Sequence, residues 1–404
     1  MSGSSHAQSE VQPEHFVRAR VVVPMLILIV LTAIAWGTGW AAYLSDAKRF
    51  AFSWLFSAIF YFTLAFGALF WVLLHHATNS SWSAVVRRLF ENMAALLPWA
   101  ILALLPVILL REKVYKWFGI TEVGVDPLLD IKRDFLNEPF FLVRYGIYFL
   151  FFTGVALVLR HFSVRQDASG DPRWTIRAQG FSYAALLPFA LILTAAGIDY
   201  LMALDFHWFS TMWGVYLFAG AALSSMAVLI ITVTLLRSAG YLTKVITVEH
   251  YHIMGKLLFA FTVFWAYIAF SQYFLIWYAN IPEETVYFLR RNTDSWHALS
   301  IFLVIGHFMV PFLLLIFRWI KKSPVALSLV CCWILLMHLV DMYLIVLPTI
   351  STIENPGISL HWFDFVSLVA VGAPLVFLFL WGLSKNSLVA HRDPRIFESL
   401  ALKN

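Results

Sequence analysis

Ten stretches of this sequence stay apolar for about twenty residues or more, the length a helix needs to cross the hydrocarbon core of a bilayer. They run over residues 22–44, 50–75, 91–111, 140–162, 181–204, 212–237, 250–279, 296–319, 324–348 and 361–384. No other feature constrains the fold as strongly. In lipid the backbone must satisfy its own hydrogen bonds, and an α-helix does so within one segment. Composition agrees: 61% of residues are hydrophobic and 13% charged, against roughly 25% charged in a soluble domain. The expected fold class is an all-α integral membrane protein with about ten transmembrane helices.

The first run is too long for a signal-peptide core, and no clear small-residue cleavage site follows it, so it reads as an uncleaved helix. Residues 1–20 are polar and mixed in charge and read as a cytoplasmic disordered tail. Residues 21–386 read as a single transmembrane domain and 387–404 as a cytoplasmic tail. Alternate loops differ in basic charge. One set, from Arg18 to Lys403, holds 17 Lys and Arg; the other holds 9. The positive-inside bias puts both termini in the cytoplasm. The second set includes the longest loop, 112–139, which carries Glu112, Glu122, Asp126, Asp130, Asp134 and Glu138 and is expected outside. The sequence pI is about 9.1, but the basic residues sit in short loops beside apolar runs, so no nucleic-acid surface is implied. Cys331 and Cys332 are adjacent within an apolar run and read as small buried residues. No CxxC spacing exists to hold an iron–sulfur cluster, and no glycine-rich nucleotide motif occurs.

A faint internal repeat is present. Ile198-Asp199-Tyr200-Leu201-Met202 in the fifth run resembles Val340-Asp341-Met342-Tyr343-Leu344 in the ninth. Tyr61 of the second run and Tyr216 of the sixth sit in similar aromatic, small-residue surroundings. The repeat suggests two four-helix bundles, helices 2–5 and 6–9, with helices 1 and 10 peripheral to them.

Ionisable side chains at membrane depth cost at least about 2.5–3.5 kcal/mol when central. They are therefore expected to face the protein interior. An outer group comprises Arg144, Asp199, His297, His338, Asp341 and Asp364. His338 and Asp341 are three residues apart and share a helix face, so they could exchange protons or grip a quinol hydroxyl. Arg144 could neutralise Asp199. An inner group comprises His75, His76, Glu91, Glu249, His250, His252 and Lys256. Here Lys256 either snorkels or ends a proton-conducting half-channel. His307, near mid-membrane, could connect the groups. His307 and His338 differ in expected depth, so a bis-histidine haem is not expected.

Two long stretches carry a resemblance: DFHWFSTMWGVYLFAG (205–220) and FSQYFLIWYANIPEETVYF (270–288). Together they resemble the NrfD-like (polysulfide-reductase membrane subunit) proteins of alternative complex III, the bacterial quinol:cytochrome c oxidoreductase. The compact length resembles the ActF-type subunit more than the larger ActC-type sister. The resemblance implies residence in a bacterial cytoplasmic membrane and no redox centre in this chain. It implies partners: a larger NrfD-like subunit, an iron–sulfur subunit, multihaem cytochrome c subunits, other small membrane subunits, and a terminal oxidase in some assemblies. Haem c and Fe–S clusters would then belong to those partners, and menaquinol or another quinol would be the reductant. In the family, the quinol site next to the iron–sulfur subunit resembles a property of the sister subunit. That favours a proton-conducting role here over an independent quinol site.

The second stretch is readable physically. Gln272 and Tyr273 can hydrogen-bond between helices, and Trp277 and Tyr278 suit an interfacial belt. Asn280-Ile281-Pro282 ends the helix, and Glu283 and Glu284 then fall outside the membrane as a proton exit or docking contact. Asp205, His207 and Trp208 make a short outer turn before the sixth helix. Two other readings remain: a quinol-binding anchor of another oxidoreductase, and a secondary transporter, which would want broken helices at matching places in both halves.

Overall fold

The computed structural model of the chain describes residues 11–350 and 357–403. Ten of its helices are long and apolar enough to cross a membrane: α1 (Arg18–Ser45), α2 (Ala47–Ala77), α3 (Arg87–Leu109), α4 (Glu138–Ser169), α5 (Arg173–Asp205), α6 (Trp213–Ser238), α7 (Val248–Ala279), α8 (Ser295–Ile316), α9 (Pro324–Ile350) and α10 (Trp362–Leu383). They match the ten apolar runs one for one. Prolines shape two of them. Pro98 and Pro106 begin fresh turns within α3. In α8 a π-helical stretch covers Val304–Met309. Pro311 follows it, lacks an N–H, and so cannot close the α-helical bond to the His307 carbonyl.

Helices α2–α5 pack as one four-helix bundle and α6–α9 as a second, with α2 against α6 at the junction. These two central helices are the most buried of the ten. Small residues permit their approach: a Cβ on Gly67 would collide with the Ala221 carbonyl, and Trp71 Nε1 donates to the Ala222 carbonyl at 3.0 Å. In a membrane such close van der Waals packing, rather than the hydrophobic effect, holds helices together. Peripheral α1 lies mainly against α10, where Trp36 Nε1 donates to the Ala370 carbonyl at 2.9 Å. A polar ladder joins α10 to α2. Asp364 accepts from Arg49 at 2.5 Å and from Ser53 at 2.6 Å, and Ser57 and Ser367 hydroxyls meet at 2.8 Å. Asp364 thus caps α10 and anchors it at once.

The described residues nearest the two termini lie on one side, called here the terminal face; the opposite side is the distal face. Residues 1–10 and the last residue of the proposed tails lie outside the described residues. The described remainder is not loose. His15 pairs with Ser387, and the Leu388 N–H donates to the Glu14 carbonyl at 2.8 Å. The Glu14 carboxylate accepts from the Leu242 N–H. Asp393 is buried against Arg87 and Arg395. Linear charge pattern reads such residues as solvated because their partners are hundreds of positions away. On the distal face the long loop is likewise folded down: Tyr115, Trp117 and Leu129 are buried, and Lys132 donates to the Phe206 carbonyl at 2.5 Å. Cys331 is buried while Cys332 is exposed, since neighbours on a helix point about 100° apart.

Candidate functional site

The two long stretches, 205–220 and 270–288, meet on the distal side of the second bundle. Helix α7 ends at Ala279 and Asn280 turns the chain with φ 50°, as the Asn-Ile-Pro run implies. The charged segment after it is not a plain turn. Pro282 opens a ten-residue helix, Pro282–Arg291, with Glu283 and Glu284 in its first turn, where carboxylates suit the helix dipole. Its other face buries Tyr287 and Arg291. Tyr287 stacks on Trp208 at 4.0 Å between centroids. Arg290 pairs with Asp205 at 2.8 Å, and Ser210 Oγ donates to Gln272 Oε1 at 3.2 Å. His207, largely exposed, bonds Asp126 at 2.6 Å and pins the long loop. The Leu129 N–H and His207 hold the Asp126 carboxyl below its usual range.

Beneath this rim is a cavity of about 580 Å³, within the size range of small-ligand sites. Its floor and walls come from α6, α7, α8, α9 and the short helix. Trp213, Tyr216 and Trp265 form an aromatic wall; Gln272, Arg291, His297 and Asp341 are the polar groups. Phe270 and Ile305 line it too and are themselves exposed. The cavity therefore opens sideways between α7 and α8, onto the surface that faces lipid.

Asp341 is 1% exposed. It accepts a hydrogen bond from the Tyr216 hydroxyl and one from Trp265 Nε1 at 3.3 Å. No basic side chain makes an ion pair with it among the described residues. The other buried acids are all paired: Glu91 with Arg87 and Arg88, Asp199 with Arg144, Asp364 with Arg49, and Asp393 with Arg87 and Arg395. Arg291 is buried within the same cavity. Its three guanidinium nitrogens donate to the carbonyls of Leu344, Tyr287 and Ile345 at 2.8–3.0 Å, and it lies 3.5 Å over the Tyr287 ring. Burial pushes the Tyr287 hydroxyl up to about 12. The cavity thus presents an unpaired acid and a cation held in place by neutral carbonyls.

The expected His338–Asp341 couple is not a direct hydrogen bond. His338 Nε2 meets Thr63 Oγ1 of α2 at 2.8 Å, while its Nδ1 has no partner among the described residues. The link runs through α7 and α8. The Trp265 ring that reaches Asp341 stacks on His307 at 4.0 Å, and His307 lies 6.3 Å from His338. Both His307 nitrogens are buried and unbonded among the described residues. Buried polar atoms are ordinarily bonded, so His307 and His338 have capacity left for water or a ligand. His307 is therefore brought to the distal group. Within the structure it does not bridge to the terminal-face group.

The remaining candidates separate. Arg144 grips Asp199 with two bonds of 2.7 and 2.8 Å, and Tyr148 adds a third at 2.6 Å. Arg144 also lies 3.8 Å over Phe135. This pair is closed. His297 is exposed and bonds Asn292 at the cavity rim. The inner group divides in two. Glu91 belongs to a buried ionic network on α3 and α4 that includes Asp167 and Asp393. His75 and His76 are buried beside it, their ring nitrogens without bonds among the described residues. Glu249 instead bonds Lys322 at 2.5 Å and lies 3.8 Å from His252. His250 caps α7 through Thr247, and Lys256 is exposed one turn beyond His252. Tyr61 lies deep in α2, bonding the Leu368 carbonyl, whereas Tyr216 is near the start of α6. Those two tyrosines are not counterparts.

Arg291 is the buried charged residue of the cavity that the sequence pattern did not single out, since it counts among the basic loop residues. The signal was available: Tyr287 and Arg291 are four apart on an amphipathic segment opened by proline. Among the described residues no three His, Cys, Asp or Glu side chains converge as metal ligands would. The fold and cavity define an all-α, multi-pass membrane protein with a laterally open, aromatic-lined site. Comparison with models of known families and with curated proteins finds no match for this sequence.

Proposed function

We propose that this chain is a membrane subunit of a quinol-oxidising oxidoreductase complex, of the NrfD-like type and nearest the ActF-type subunit of alternative complex III. Its own contribution is to hold a quinol head group and to conduct the released protons. One observation carries the reading: the cavity under the 282–291 helix combines an opening toward lipid, aromatic walls and the unpaired Asp341. A quinol is a flat aromatic diol on an apolar tail. The opening between α7 and α8 admits the tail. Trp213, Tyr216 and Trp265 flank a ring, stacking on which aromatic side chains are favourable. Asp341 can accept a hydroxyl proton because no cation locks its charge, and Arg291 can donate toward an oxygen. His307 and His338 then offer onward proton acceptors. Electrons leave to redox centres of partner subunits on the distal face, where Asp205, His207, Glu283 and Glu284 form the docking rim. With the termini in the cytoplasm, that face is the outer one.

The transporter reading gains nothing. The helix breaks lie in α3, second of its bundle, and in α8, third of its bundle, so they do not correspond between the halves.

Purification of the native assembly tests the complex: the chain should copurify with haem c and iron–sulfur subunits. A photoreactive quinol analogue tests the site. Label should map to α7, α8 and the 282–291 helix; label confined to other helices would refute the assignment.

A further inference from the structure

A second cavity, of about 620 Å³, lies where the two bundles and the α1–α10 pair meet, toward the terminal face. Its wall is almost wholly apolar, with Phe60, Leu64, Met93, Leu235, Leu375 and Leu383 among its residues. The tyrosine hydroxyls on it are already engaged: Tyr61 donates to the Leu368 carbonyl at 3.2 Å, and Tyr241 accepts from the Val17 N–H at 3.1 Å. Water needs two to four polar partners to occupy a cavity, and away from Arg20 the wall adds to these tyrosines only the Thr232 hydroxyl. Leu235 and Val376 line it and are also exposed to the lipid-facing surface, 64% and 44%. The hydrocarbon phase therefore reaches it.

Arg20 marks the end of the cavity at the terminal face. Its guanidinium lies 5.4 Å over the Tyr241 ring and donates through Nη1 to the Ala239 carbonyl at 3.0 Å. The side chain is exposed, so its other donors remain available. Arg18 stands two residues before it in the same short 3-10 helix. Guanidinium groups bind phosphate through paired, charge-assisted hydrogen bonds, and basic residues beside a membrane helix attract anionic lipid.

We propose that this cavity is a binding site for one anionic phospholipid of the leaflet on the terminal face. An acyl chain fills the junction and the phosphate meets Arg20. The lipid would cement the α1–α10 pair to both bundles, independently of any quinol bound on the distal side.

The test uses the full chain, purified in mild detergent from vesicles of equal phosphatidylglycerol and phosphatidylcholine. Bound lipid is extracted and quantified by mass spectrometry. The unmodified chain should retain about one phosphatidylglycerol in excess of phosphatidylcholine. Arg20→Gln, an exposed change that leaves the fold intact, should lower that preference about tenfold, equivalent to about 1.4 kcal/mol. Thr232→Trp, which fills the cavity from α6, should remove retained phospholipid of both kinds. Absence of retained phospholipid in the unmodified chain overturns the proposal. So does a quinone in its place, or lipid content unchanged in both variants.

Discussion

Replacing Asp341 or Asp199 with asparagine separates a ligand site from a structural pair. The two acids sit at corresponding places on α9 and α5, yet their surroundings differ. Asp199→Asn would strand Arg144, which is 5% exposed and spends two of its nitrogens on that carboxylate. Removing one member of a buried pair costs about 3–5 kcal/mol. Asp341→Asn strands no cation. Asparagine Oδ1 can still accept from Tyr216, and the 3.3 Å contact from Trp265 is the bond at risk, a net loss of about 1 kcal/mol. Ligand binding should rank the other way. A hydrogen bond to a charged group contributes about 1.5–3 kcal/mol, so Asp341→Asn should weaken quinol-analogue binding roughly tenfold or more. Asp199→Asn should leave the affinity of whatever folded protein remains unchanged. Thermal unfolding of the purified chain in detergent reads the first quantity, and titration with a quinol analogue followed by tryptophan fluorescence reads the second. Equal destabilisation by both variants, with equal analogue affinity, would refute the reasoning and make Asp341 a structural residue.

Gly67→Leu should separate α2 from α6, because the Ala221 carbonyl occupies the space a side chain needs; overpacking of this kind costs about 1–3 kcal/mol or more, read as a lower unfolding temperature. Asp393→Asn should destabilise the chain by at most about 3–5 kcal/mol, since Arg87 is fully buried against it and keeps only the longer contact to Glu91. Burial raises the Asp393 carboxyl, but Arg87 and Arg395 outweigh it and hold the group below its ordinary 3.8. The stability it gives is therefore complete above that value and lost as pH falls beneath it, and an acid unfolding series should show the Asp393→Asn chain losing less over that range. Impermeant labelling of single cysteines should mark position 283 from the outer side and position 322 only after lysis; the reverse pattern would invert the orientation.

The helix inventory was legible because lipid imposes one rule on every span: about twenty apolar residues, internally bonded. Bundle assignment was legible because Asp199 and Asp341 recur at matching places. Partnership was not. Asp393 and Arg87 are over three hundred positions apart, so residues 387–400 read as tail. Helix periodicity placed His338 and Asp341 on one face, and both do point inward. Which neighbour each meets depends on the crossing of α2, α6 and α7, and the crossing follows from glycine and alanine contacts that carry no hydropathy signal. Arg291 was obscured by a turn signature that proved to be a helix start.

The repeat and its breach together set the two halves of the molecule apart. Each bundle places an acid near the distal end of its last helix and gives it a tyrosine hydroxyl, Tyr148 for Asp199 and Tyr216 for Asp341. In the first bundle α4 supplies Arg144 and two phenyl rings cover it. In the second, α8 stands where α4 would. It carries no arginine at that place, and its π-helical turn seats His307 against Trp265. The cation of the second bundle comes instead from outside the spans, on the 282–291 helix, and bonds carbonyls rather than the acid. One acid is thereby sealed by its own bundle and the other is left facing a cavity. A buried unpaired carboxyl costs stability that a sealed one does not. That cost is intelligible where a ligand from the membrane completes the site.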